Sequence, residues 1–202
     1  RLVRFSLRMD FPGKYRLVAA LDAAVGHPSQ EAVIAALGRT LAALFADPGF
    51  VLPPALLRPV HDHYARRELH VSPTLDYSVV AMTWAPGQGT PIHDHDGAWC
   101  TEIVWHGRLA ITRYAPTERD GERWRFARIG SEVLPAGATD WLAPPHEYHA
   151  VHNPSAGEVA VSLHVYQRQL RRSHAFLPEP ADGDGDGWMR RVERPLPVDP
   201  PG

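Results

Sequence analysis

The chain contains a single cysteine, Cys100, and a single lysine, Lys14. A lone cysteine excludes an intrachain disulfide framework and a cysteine-rich zinc site, and it fits a reducing, cytoplasmic setting. No apolar run approaches the roughly 18 residues of a spanning helix, and no secretory leader is legible at the start. An excess of one charge is also lacking. The net charge is −2, from 21 basic and 23 acidic side chains, which removes the general electrostatic grip that nucleic acid or an anionic membrane requires. At 202 residues, 44% hydrophobic and 22% charged, the chain suits one globular domain. Twelve histidines stand against these absences.

Helical periodicity covers the first third. From Ser29 to Ala46, Val33, Ile34, Leu37, Leu41, Leu44 and Phe45 recur on one face, with Pro28 before and Pro48-Gly49 after. A shorter helix is expected over Tyr15 to Val25, and a turn or two over Pro53 to Val60. From about Tyr64 the texture becomes short β-rich runs between Gly, Pro and Asp turns. Tyr77–Trp84, Cys100–His106, Leu109–Tyr114, Trp124–Ile129, Thr139–Leu142 and Glu158–Tyr166 read as strands of a sandwich or barrel. The expected division is a helical region over 1–63 packed on a barrel over 64–177. A Pro-, Gly- and Asp-rich arm follows over 178–202, and the whole makes one domain. The arm reads as extended over the surface or partly disordered.

His93-Asp94-His95 follows the Pro86-Gly87-Gln88-Gly89 turn. In extended backbone His93 and His95 share a face while Asp94 points away, and two imidazoles on one face suit a divalent metal. His61-x-His63 repeats the spacing without flanking glycines and is not read as a site. His27, His70, His106 and His174 read as surface or core residues.

The spacing Gly87, five residues, His93-x-His95, then Gly107 resembles the first motif of the cupin β-barrels, and His149 followed by Asn153 resembles the second. His149 becomes the third ligand candidate, with His146 and His152 as near competitors. Where cupins commonly carry a glutamate ligand, this chain has Cys100. The resemblance then narrows to the cysteine dioxygenase family of thiol dioxygenases. It is carried by Tyr64-Ala65-Arg66, Ile92 to His95, Cys100, His149, Ser162 to Tyr166 and Ser173 to Phe176.

That resemblance implies a mainly β, jelly-roll-like cupin barrel with the N-terminal helices packed on it. It implies Fe(II) held by His93, His95 and His149, and a reaction in which both atoms of O2 end on the sulfur of L-cysteine, giving cysteine sulfinic acid. Tyr166 would point its hydroxyl at the metal, with His164 orienting it and Ser162 supporting His164. Arg66 would clamp the substrate carboxylate beside Tyr64, with Arg67 as the candidate if the register shifts by one. Cys100 and Tyr166 would form a thioether. The partners implied are a small-molecule thiol and O2, with no nucleic acid and no membrane; oligomeric state is not legible.

Some features point to alternatives. Gln167-Arg168 stands where cysteine-using relatives often have Ser-Pro, so Arg168 could meet a second acidic group and Trp99 could reshape the pocket. Substrates such as 3-mercaptopropionate or mercaptosuccinate therefore stay open. A cupin holding zinc or nickel as an isomerase or sensor would explain the histidines but not Ser162, His164 and Tyr166. Asp182, Asp184 and Asp186, with Gly187 and Glu193, fit a calcium-loop pattern. The prolines on either side leave no legible helix, so an acidic loop is expected there.

Overall fold

A computed structural model describes residues 9–179 and 187–201. Within these residues two α-helices, α1 (Lys14–Val25) and α2 (Gln30–Ala46), and a short 3-10 turn over Pro54–Leu57 precede eleven strands. Ser29 starts α2 as its N-cap, its Oγ accepting from the Ala32 N–H at 3.2 Å. The apolar stripe expected of α2 is the buried one, Val33, Ile34, Leu37, Leu41 and Leu44, while Phe45 packs edge-on to Trp105 at 5.4 Å.

The strands are β1 (Ala65–Val71), β2 (Ser78–Trp84), β3 (Ile92–His93), β4 (Cys100–His106), β5 (Arg108–Asp120) and β6 (Arg123–Pro135). They continue with β7 (Thr139–Leu142), β8 (His149–His152), β9 (Ala160–Tyr166), β10 (Arg172–Pro178) and β11 (Met189–Pro195). One sheet runs in the order β1-β2-β9-β4-β7, and the other six strands close in the order β10-β11-β6-β5-β8-β3. This is the cupin barrel, mainly β, with the helices on its outside.

Alternation along the strands separates two cores. Val161, Leu163 and Val165 of β9 join Val79, Ala81 and Ile103 under the helices, with Leu17, Leu21, Leu37 and Leu41 above them. The opposite faces supply Val80, Met82, Trp84, Cys100, Val104 and Tyr166, which pack inside the barrel with Leu109, Ile111 and Val151. Gly107, in the turn between β4 and β5, has φ +69°, and a Cβ there would lie 2.7 Å from the Val159 carbonyl oxygen. Only glycine meets both demands.

The C-terminal segment departs from a surface arm. β11 pairs with β10 along its full length and touches β6 at Met189 and Trp124, so it is a wall of the barrel. Beyond it the chain reaches β1, where the Asp199 N–H donates to the Arg66 carbonyl at 2.7 Å. Asp182, Asp184 and Asp186 lie outside the described residues. Glu193 sits in β11 and pairs with Arg172 at 3.3 Å, so a strand stands where the calcium motif would need its second helix. No helix among the described residues is long and apolar enough to cross a membrane.

Candidate active site

His93 and His149 face each other across the β3–β8 pair, and His95 follows in the loop after β3. Their ligating nitrogens all lie within 4.8 Å of one another. The Nε2 atoms of His93 and His149 approach to 3.1 Å. His93 Nδ1 lies 3.1 Å from the Pro91 carbonyl, which can only accept, so the ring proton belongs on Nδ1 and Nε2 keeps its lone pair. Burial pushes all three imidazoles below their ordinary pKa, His95 and His149 well below it with mutual repulsion adding to the effect. They are held neutral, the form that binds metal.

Neighbouring groups fix the loop. Asp94 points away from the cluster and accepts the His174 N–H at 2.9 Å. The Glu147 carboxyl is pushed up to about 7 chiefly by burial and next by Asp94, with the nearby backbone of His95 and Gly97 working against the rise. The competitors separate by position: His146 and His152 are exposed, whereas His149 is buried in the cluster.

Ser162, His164 and Tyr166 share the inner face of β9. Trp84 Nε1 donates to Ser162 Oγ at 2.9 Å, and Ser162 Oγ meets His164 Nε2 at 2.8 Å. His164 Nδ1 lies 2.9 Å from Glu102 Oε2 and 3.9 Å from Cys100 Sγ. Both ring nitrogens face groups other than Tyr166. The tie between His164 and Tyr166 is a parallel stack, with centroids 5.9 Å apart and planes at 13°, and Tyr166 meets His95 edge-on at 5.4 Å. Serine, histidine and carboxylate in this order resemble a hydrolase triad. Ser162 is 1% exposed and already holds Trp84, so no substrate carbonyl reaches it.

Cys100 stands directly opposite Tyr166 across the β4–β9 pair, and both are buried. Burial, followed by the charge of Glu102, pushes the thiol well above its ordinary pKa, so it stays protonated.

Arg66 and Arg67 diverge from adjacent positions on β1. Arg67 turns away from the cavity, donating to Thr83 Oγ1 and the Arg58 carbonyl at 2.9 Å each. Arg66 lines the cavity with Tyr64, His93, His95, His149 and Tyr166. It is 4% exposed; Nη1 donates to the carbonyls of Leu196 (2.9 Å) and Pro197 (3.2 Å), while Nε and Nη2 are buried without a hydrogen-bond partner among the described residues. Tyr64 stacks on Trp84 at 4.5 Å.

Two alternatives raised by the sequence are not placed at this cavity. Arg168 binds the Asp96 carbonyl and lies 3.6 Å from its carboxylate, and Trp99 packs in the core under the helices. Two residues not singled out by the sequence reading do matter. Glu102 lies two positions from Cys100 on the same strand face, a period-2 signal that was available. Arg194 of β11 lines the cavity and is exposed, but nothing in the sequence marked β11 as a wall.

The profile of the family described as cysteine dioxygenase type I matches residues 60–178. The chain is 30% identical to cysteine dioxygenase type 1 of Homo sapiens over 101 residues, 50% of this chain and 49% of that one. It is 28% identical to the Danio rerio protein of the same name over 100 residues, again 50% and 49%. The chain thus spans about half the length of these curated relatives. Among solved structures, a protein with a double-stranded β-helix domain from Klebsiella pneumoniae is 19% identical, with TM-score 0.44, covering 59% of this chain and 84% of the other.

Proposed function

This chain belongs to the cysteine dioxygenase type I family, and on that footing we propose that it is a non-haem Fe(II) dioxygenase of a small-molecule thiol. Its proposed substrate is L-cysteine, whose sulfur gains both atoms of O2 to give cysteine sulfinic acid. The carrying observation is the meeting of two unfinished groups in one cavity. Three neutral imidazoles converge within 4.8 Å, and Arg66 keeps two buried nitrogens, Nε and Nη2, without partners among the described residues. A guanidinium in that state is suited to a carboxylate, which takes two parallel N–H bonds.

The donor set fits Fe(II). His93, His95 and His149 would hold it, and three neutral ligands leave its double charge for an anionic thiolate. When bound, the iron supplies the redox chemistry that joins dioxygen to sulfur.

The remaining roles belong to this chain's own groups. Arg66 grips the carboxylate, and Tyr64 flanks it. Tyr166 carries the hydroxyl at the reacting end of the cavity, His164 holds its ring by stacking, and Ser162 holds His164. Cys100 and Tyr166, paired across two strands, would form a thioether: a C–S bond replaces one S–H and one ring C–H, and two electrons and two protons pass to dioxygen. The proposed setting is the cytoplasm.

A second substrate reading rests on Arg194, a cation at the same cavity, which suits a thiol with a second carboxylate such as mercaptosuccinate. Oxygen uptake after anaerobic iron loading, compared across cysteine, 3-mercaptopropionate and mercaptosuccinate, tests the proposal. Cysteine-dependent uptake with sulfinic acid as product supports it. Tight zinc with no uptake on any thiol would instead favour a cupin that is not an oxygenase.

A further inference from the structure

We propose that Glu102 is a positioning residue of this site. Its carboxylate keeps a proton on His164 Nδ1 and sets the ring plane on which Tyr166 stacks. The catalytic part of this inference rests on the thiol dioxygenase reading above.

Glu102 is a buried acid, 4% exposed, on the inner face of β4, flanked along its own strand by apolar Cys100 and Val104. Across the sheet it is the register partner of His164 on one side and of Asp140 on the other. Asp140 has its own cation, Arg113. Among the described residues Glu102 has none: Oε2 makes no hydrogen bond to them, and its near neighbour is His164 Nδ1 at 2.9 Å. A buried carboxylate is costly unless a charge or a proton donor faces it, and here the imidazole occupies that place.

The other end of the ring accommodates the same tautomer. Ser162 Oγ already accepts the Trp84 N–H, so its own hydrogen is free to go to His164 Nε2 at 2.8 Å. That bond needs a bare Nε2 and therefore a proton on Nδ1, where the Glu102 carboxylate stands. Two neighbours on opposite edges specify one tautomer and one ring orientation. Cys100 Sγ, at 3.9 Å from Nδ1, is the weaker competitor for the same proton. Nδ1 already meets the thiol, so without Glu102 the thiol is its remaining neighbour on that edge, and the ring against which Tyr166 stacks loses the charge that holds it from the β4 side.

The test uses the full chain carrying zinc in place of iron, with nitrogen-15-labelled histidine followed by long-range proton–nitrogen NMR. The expected result is a proton-bearing Nδ1 and a bare Nε2 on His164, with both signals displaced in Glu102→Gln. In the iron-loaded enzyme, Glu102→Gln should lower kcat about tenfold or more, with KM for cysteine within about twofold and iron content unchanged. A merely structural role would leave that split between kcat and KM absent. A bare Nδ1 in the unsubstituted protein overturns the proposal, as does a Glu102→Gln enzyme with unchanged kcat and unchanged His164 signals. If the variant does not fold, the spectrum of the unsubstituted protein still decides. If that protein oxidises no thiol, the dioxygenase reading fails while the spectrum still judges Glu102.

Discussion

Arg66 and Asp199, far apart in sequence, hold each other through the main chain. The Arg66 N–H donates to Asp199 Oδ2 at 2.8 Å, and the Asp199 N–H donates to the Arg66 carbonyl at 2.7 Å. The proposed substrate clamp is thus backed by the last described stretch of the chain, whose Leu196 and Pro197 carbonyls also hold Nη1.

The same link carries a pH dependence. His63 Nε2 sits 2.9 Å from Asp199 Oδ1, and that bond, followed by one to Asp62, raises the imidazole pKa above 6.5. A raised folded-state value means the stabilisation is fully present below the unfolded value and is lost as pH rises through the folded one. Thermal melting of the parent and His63→Asn should therefore differ at roughly pH 6 and converge by roughly pH 9. A gap that widens with pH would contradict this assignment.

The two adjacent arginines should fail differently. Arg66→Ala removes a charged partner of the substrate, worth about 1.5–3 kcal/mol, so KM for cysteine should rise roughly 10- to 100-fold. Arg67→Ala leaves Thr83 and the Arg58 carbonyl without their donor, so the melting temperature should fall while KM stays close to the parent value. Steady-state kinetics and melting on both variants check the pair. The reverse pattern would move the clamp to Arg67.

Cys100 should lose its free thiol during turnover. Intact-protein mass of iron-loaded enzyme exposed to oxygen and cysteine should show a species lighter by two hydrogens, absent from Cys100→Ala and Tyr166→Phe. Fully active enzyme of unchanged mass would remove the cross-link.

Arg194 bears on substrate choice. If a second carboxylate is admitted, Arg194→Ala should lower kcat/KM for mercaptosuccinate about tenfold while changing cysteine turnover much less. Equal effects on both thiols would assign the residue to the wall of the cavity rather than to selection.

Much of this architecture was legible where a local pattern sufficed. Thr139–Leu142 and Cys100–His106 have the limits their turns and β-branched runs suggest, and α2 begins one residue after its serine cap. β1 was not legible because Arg66, Arg67 and Glu68 are buried charges in a strand, and the partners that Arg66 Nη1 and Glu68 do have come from distant parts of the chain. β10 and β11 were hidden for a related reason: their arginines read as surface, and their pairing spans the Pro/Gly-rich segment. In the site, the shared face of His93 and His95 follows from spacing, but His149 joins them only through the β3–β8 pairing, which periodicity does not show; only the family resemblance named His149 as a candidate. Arg194 needed the closed barrel to be seen at all.

The central claim is tested most directly by giving the iron-loaded protein L-cysteine under isotopically heavy dioxygen and weighing the product. The account predicts cysteine sulfinic acid carrying two heavy oxygen atoms, with one dioxygen consumed per cysteine. A product with one heavy atom or none, or oxygen consumed with cystine as the only product, would contradict it.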